Sequence, residues 1–139
     1  MKPQDCQFID ANVIMYSVGS PHTLREPCRE VLKKIKGGLT QVVTNTGVLQ
    51  EILYRFFSIK KSSLAATAYA SLVEICVEIL PVTIHDMDLA LELLKKYPDI
   101  TTRDAVHAAT MINHEIKEIL SADTHFDLIP EIRRIPPEL

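Results

Sequence analysis

Glycine, cysteine and charge of one sign are all scarce in this 139-residue chain, and each shortage removes a class of protein. Four glycines without a biased tract exclude collagen-like and low-complexity chains, and 47% hydrophobic with 24% charged residues excludes disorder. Cys6, Cys28 and Cys76 are odd in number and widely spaced, with no C-x-x-C pair and no Cys/His spacing of the zinc type. They read as buried thiols, not as a disulfide framework. Glu74, Glu78 and prolines break every apolar stretch short of the roughly 18 residues of a membrane span. The opening Met1-Lys2-Pro3-Gln4-Asp5-Cys6 has no charged n-region, apolar h-region or small-residue cleavage site, so the expected location is the cytoplasm. Fifteen basic against eighteen acidic side chains leave a formal charge of −3, which argues against a strong non-specific grip on nucleic acid. No repeat or linker is visible, and one domain over residues 1–139 is expected.

What is present is an alternation of strand-like and helical patterns. Gln7-Phe8-Ile9 is a short apolar run ending at Asp10-Ala11-Asn12, a strand-to-helix turn. Leu24, Cys28, Val31, Leu32 and Ile35 recur at helical spacing until Gly37-Gly38. Leu39 to Val43 reads as a strand, and Thr44-Asn45-Thr46 offers N-cap chemistry to a helix carrying Val48, Leu49, Ile52, Leu53 and Phe56. An alanine-rich helix is predicted from Leu64 to about Cys76, then a strand from Val77 to Val82. A helix from Leu89 to Lys96, capped by His85 or Asp86, ends at Tyr97-Pro98; another starts at Thr101 or Thr102, with Ala105, Ala108, Ala109 and Ile112 on a narrow face. Glu118 to Ala122 is strand-like, and Ile132 to Ile135 suits a short edge strand. This order predicts an α/β sandwich with a mostly parallel sheet covered by helices, a fold that binds ligands beyond the carboxyl ends of its strands.

Four acids fall at junctions or beside apolar faces: Asp10, Glu51, Asp104 and Asp123. Hard divalent cations prefer carboxylate oxygens, and carboxylates gathered without a cation resist joint ionisation. Convergence of the four would therefore imply a metal. Taken singly, each has a plainer role. Asp104 follows Thr101 at capping-box spacing, Glu51 can pair with Arg55 one turn on, and Asp10 and Asp123 can form turns after strands.

Four blocks of sequence bear on that choice: Phe8-Ile9-Asp10-Ala11-Asn12-Val13, Val48-Leu49-Gln50-Glu51-Ile52, Thr102-Arg103-Asp104-Ala105-Val106-His107-Ala108-Ala109, and Leu120-Ser121-Ala122-Asp123-Thr124-His125-Phe126-Asp127. In order and spacing they resemble the PIN-domain family, specifically its VapC-type toxin ribonucleases, across essentially the whole chain. The resemblance implies a PIN-like three-layer sandwich with a mostly parallel central sheet. It also implies an acidic quartet, Asp10, Glu51, Asp104 and Asp123, that holds Mg²⁺ or Mn²⁺, with Asp127 as a secondary contributor. Asn12 and Thr46 match small polar positions near the family's site, and Thr124 lies beside the fourth acid. The implied reaction is metal-dependent hydrolysis of RNA to 5′-phosphate and 3′-hydroxyl ends, and the implied partners are a cognate antitoxin and a second copy in a homodimer.

Metal pairing of the quartet would remove its charge, so the formal −3 need not oppose RNA. Arg103 is the preferred phosphate contact, Arg55 and Lys60-Lys61 are further candidates, and His125 is placed near substrate. His85, His107 and His114 read as helix-start or helix-surface residues with no catalytic part. Two rival functions differ in cheap observables. A phosphatase of the haloacid-dehalogenase type also opens on a strand ending in aspartate, but it requires a second aspartate where this chain has Asn12. A non-catalytic PIN-like scaffold would use the alanine-rich helix and exposed Phe56 or Phe57 as a partner groove.

Overall fold

The computed structural model describes residues 5–138; Met1–Gln4, part of the segment read for a leader, and Leu139 lie outside them. Five parallel strands form one sheet in the order β3-β2-β1-β4-β5: β1 Gln7–Ile9, β2 Val42–Asn45, β3 Cys76–Leu80, β4 Glu118–Leu120 and β5 Arg133–Ile135. Six α-helices connect them: α1 Ala11–Val18, α2 Arg25–Lys36, α3 Thr46–Ser58, α4 Ser62–Ile75, α5 Ile84–Lys96 and α6 Thr102–Asn113. A 3₁₀ helix spans Thr124–Leu128. Right-handed crossovers put α1 to α4 on one face and α5 and α6 on the other, because the chain steps outward from β1 to β3 and then returns to β4. The packing agrees: α1 meets α2, α3 and α4, while α5 meets α6. The sandwich thus has the three layers expected.

The central strands are apolar because both their faces are covered. Phe8, Ile9, Val42, Val43 and Ile119 are all fully buried. Ala105, Ala108 and Ala109 bring α6 close to the sheet, as their small size requires. At the edges the strands turn polar: β3 carries exposed Glu78 and β5 carries Arg133 and Arg134, charges that discourage further strand addition. Burial pushes the Cys28 thiol up to about 11 and that of half-buried Cys76 up to about 12, so neither is a reactive thiolate at neutral pH.

Several boundaries differ from the sequence reading, each for a local reason. The second strand lies three residues later than Leu39, whose side chain is exposed, because Thr44 and Asn45 find buried partners there. Thr44 donates its hydroxyl to the Ile9 carbonyl at 2.9 Å, and Asn45 accepts from the Val48 N–H as N-cap of α3 while donating to Thr110. The third strand begins at Cys76 and stops at Leu80, just before Pro81. Helix α5 starts at Ile84, not Leu89, because Thr83 is its N-cap residue and Asp86 closes the capping box from within the first turn. Phe56 is buried, so only Phe57 of the expected exposed pair faces solvent. His107 is buried as well, against the surface reading.

Candidate active site

Strand order reverses at β1: the chain runs outward through β2 and β3, then crosses back to place β4 on the other side of β1. A parallel sheet opens a crevice beyond the strand ends at such a point, because the flanking loops diverge to opposite faces. Asp10 leaves β1 there, and Ser121 to Asp123 leave β4 there.

Asp10 is the N-cap of α1 and is almost fully buried. One carboxylate oxygen accepts from the Ala11 N–H at 2.8 Å, and the other accepts from the Ser121 hydroxyl at 2.7 Å and from the Asn12 amide at 3.3 Å. Burial drives its pKa up to about 6; the nearby His107 and the hydrogen bonds from Ser121 and Ala11 oppose the rise, and Glu51 adds to it. Ser121 is fully buried and stitches the two strand ends together, since its oxygen also accepts from the Asn12 amide and from the Asp123 N–H. Asn12 completes the stitch by accepting from the Ala122 N–H.

The remaining acids arrive from three other elements. Asp104 does close a capping box with Thr101, as its spacing predicts, yet its carboxylate also reaches the crevice, with one oxygen 3.8 Å from His125 Nδ1. Capping and membership of the site are compatible because a helix start points its first turn at the ligand. Burial raises the Asp104 pKa, and the Asp123 charge raises it further against the Thr101 hydrogen bonds. Glu51, on α3, does not pair with Arg55; its oxygens lie 3.3 Å from Arg103 and 3.4 Å from His107 Nε2. Asp123 caps the 3₁₀ helix, accepting from the His125 N–H at 2.9 Å and lying 2.8 Å from its ring.

Two adjoining groups of ligand atoms result, each within 4.8 Å: Asp10, Glu51 and His107, and Asp104, Asp123 and His125. Each group offers two carboxylates and an imidazole, and in the first Asp10 is held far above its ordinary pKa; such oxygen-rich sets fit a hard divalent cation. An open cleft of about 540 Å³ leads to them, lined by Asn12, Glu51, Arg103 and Asp123 among others.

Other candidates lie apart. Asp127 pairs through both oxygens with Arg134, at 3.0 and 3.1 Å, and belongs to neither group of ligand atoms. The Thr46 hydroxyl accepts from the Val82 N–H, and Thr124 is exposed at the start of the 3₁₀ helix. Sequence reasoning missed Ser121 and assigned His107 to the surface. Both had a signal: Ser121 directly follows a strand and precedes Asp123 by two, and His107 lies three residues from Asp104, on the same helix face.

A PIN domain model matches residues 8–132. Ribonuclease VapC13 of Mycobacterium tuberculosis is 33% identical over 128 residues, covering 92% of this chain and 98% of that protein. Ribonuclease VapC23 of the same species is 33% identical over 116 residues, covering 84% and 91%. Among solved structures, VapC20 of M. tuberculosis, described as a Sarcin-Ricin loop cleaving toxin, superposes with a TM-score of 0.72 at 18% identity, covering 86% of this chain and 92% of that one. VapBC2 from Rickettsia felis, bound to a DNA fragment from its promoter, gives 0.72 at 17%, covering 96% and 99%. The chain belongs to the PIN-domain family, among its VapC ribonucleases.

Proposed function

We propose that this protein is the endoribonuclease toxin of a toxin–antitoxin pair, hydrolysing RNA phosphodiester bonds with Mg²⁺ or Mn²⁺ held by Asp10, Glu51, Asp104 and Asp123. The observation that supports this reading is that carboxylates from four separate elements fall into two groups of ligand atoms, Asp10 with Glu51 and Asp104 with Asp123, and that one acid of each group lines the same cleft. A divalent ion held there would supply Lewis-acid chemistry, with charge to offset that on the phosphate and on the leaving oxygen and a lowered pKa for water bound to it. The chain's own part is to hold charge in place. Ser121 and Asn12 fix the carboxylate of Asp10, Thr101 fixes that of Asp104, and Arg103 restrains Glu51 while offering its guanidinium to a substrate phosphate. His125, beside Asp123, and Thr124 are exposed and would meet the substrate backbone, and exposed Thr46 is assigned a substrate contact as well. The products are 5′-phosphate and 3′-hydroxyl ends. Asp127 is linked to the site through Arg134, whose guanidinium also donates to the Ser121 carbonyl at 3.2 Å.

We assign the protein to the cytoplasm, where such a substrate is found; no helix among the described residues is long and apolar enough to cross a membrane. The fold's neighbours include VapBC and FitAB assemblies, which supports a cognate antitoxin as partner; the homodimer rests on the family resemblance. Exposed Leu53, Tyr54 and Phe57 on α3 supply apolar surface for such contacts.

Cleavage of end-labelled single-stranded RNA with Mg²⁺, Mn²⁺ or EDTA tests the proposal in wild type, Asp10→Asn and Asp104→Asn. Cleavage that needs the ion and disappears in both variants is expected. Wild-type protein inert on diverse RNAs and unable to bind either ion in a calorimetric titration would leave a scaffold with an idle acidic pocket.

A further inference from the structure

The cleft that leads to the acids has a second end, and its chemistry is different. There the ring of Tyr16, on α1, stacks on that of His22, with centroids 4.4 Å apart and planes 25° from parallel. Tyr16 is half-buried and packs against the core, so it is fixed; His22 is exposed and presents its outer face to solvent. The His22 ring is also oriented, because its Nδ1 accepts from the Leu24 N–H at 3.0 Å. That bond leaves Nε2 as the protonated nitrogen and an outward donor. Arg55 lines the same cleft. Glu51 pairs with Arg103 and His107 instead of Arg55, and no hydrogen bond or ion pair engages Arg55 among the described residues. Its guanidinium is therefore available at the cleft wall.

A fixed aromatic pair and an uncommitted guanidinium in one cleft match the parts of a nucleotide: a flat base and the phosphate attached to it. Every base has a face that stacks on an aromatic ring, and a guanidinium takes a phosphate in bidentate fashion. The base must be unpaired, because a paired base has both faces covered by its neighbours. We propose that Tyr16, His22 and Arg55 form a nucleotide subsite of the ribonuclease, in which an unpaired RNA base next to the cut stacks on the Tyr16–His22 pair and its phosphate meets Arg55. The inference rests on the nuclease reading and adds to it where the substrate is gripped. Purines, with the larger ring system, bind this subsite better than pyrimidines. Discrimination within each class is weak, because a stack reads no base edge.

The test measures binding of fluorescein-labelled RNA hexamers by anisotropy, in Mg²⁺, with Asp10→Asn protein so that the RNA stays intact. One base at a time is replaced by an abasic residue. In this parent, removal of the base at one position is expected to weaken binding about 5- to 100-fold. Adding His22→Ala, an exposed change that leaves the core alone, should abolish most of that difference, as should Tyr16→Leu, whereas Tyr16→Phe should keep it. A 2-aminopurine at the sensitive position should lose emission on binding the parent and recover it in His22→Ala. Arg55→Ala should weaken intact and abasic RNA alike and flatten the salt dependence. If wild-type protein cleaves RNA but the difference between base and abasic residue survives both His22→Ala and Tyr16→Leu, the subsite is overturned and the nuclease stands. If no RNA is bound or cleaved at all, both fall.

Discussion

The two groups of acids at the strand ends house their histidines differently. In the inner group, with Asp10 and Glu51, the His107 side chain is 3% exposed and its Nδ1 has no hydrogen-bond partner among the described residues. In the outer group, with Asp104 and Asp123, the His125 side chain is 48% exposed and sits over Asp123 with water at hand. The inner group closes its histidine and Asp10 off from water, while the outer group is wet at His125 and Asp123, although its Asp104 is as buried as Asp10. A carboxylate that water cannot reach is kept ionised only by a counter-charge, so the inner group has most to gain from a cation.

The largest effect should come from the inner acid. Asp10→Asn is expected to reduce RNA cleavage by about 10³-fold or more, since an ion ligand is lost. The same change should raise stability in EDTA. The folded pKa of Asp10 is about 6 against an ordinary 3.8, so between these values the folded state holds more protons than the unfolded one. Stability therefore falls as pH rises through that window, by an order of 2–3 kcal/mol, and the deficit is complete above it. Thermal melts should find the variant more stable than wild type at pH 7.5 and equal to it below pH 4, with divalent ion narrowing the gap at pH 7.5. A variant less stable than wild type at pH 7.5 would remove the contrast between dry and wet groups.

The histidines give the next effect. His107→Ala should destabilise the fold by about 2–4 kcal/mol, as a buried side chain is replaced by a cavity, whereas His125→Ala should cost under about 0.5 kcal/mol. Denaturant unfolding of both variants checks the difference, and equal losses would break it.

The two capping boxes sharpen the comparison at smaller scale. Thr83→Ala and Thr101→Ala each remove a side-chain cap and should each cost about 1 kcal/mol of stability. Only Thr101→Ala should also lower cleavage, by about 10- to 100-fold, because its partner Asp104 lies in the crevice while Asp86 is tied to Thr110 and Asn113. The smallest effect belongs to Asp127→Asn. Its exposed pair with Arg134 contributes under about 1 kcal/mol, and cleavage should stay within about twofold.

Much of this was legible beforehand, and the rest fails to be for identifiable reasons. The T-x-x-D spacing at Thr101 announced the start of α6, and Gly37-Gly38 announced the end of α2, because caps and stops depend on a few adjacent residues. The start of α5 was missed although Thr83-x-x-Asp86 carries the same signature, overshadowed by the apolar residues that follow. The 3₁₀ helix at Thr124–Leu128 escaped because five residues are too short for a periodicity; buried Phe126 and Asp123 as cap hold it. Arg55 was matched to Glu51 by helix spacing alone, and a guanidinium from another helix won that carboxylate.

By itself, the sequence determined the kind of chemistry on offer: carboxylates at element junctions, apolar strands too short to stand alone, and helices with one greasy face. Tertiary structure alone decided which of those acids share a site. Asp10 and Ser121 are 111 positions apart and touch only because β1 pairs with β4 after the chain has travelled out to β3 and back. No local pattern encodes that crossing, since it follows from burying both faces of the sheet at once. The same burial sealed His107 and Asp10 away from water, turning ordinary side chains into a site with reason to hold a cation.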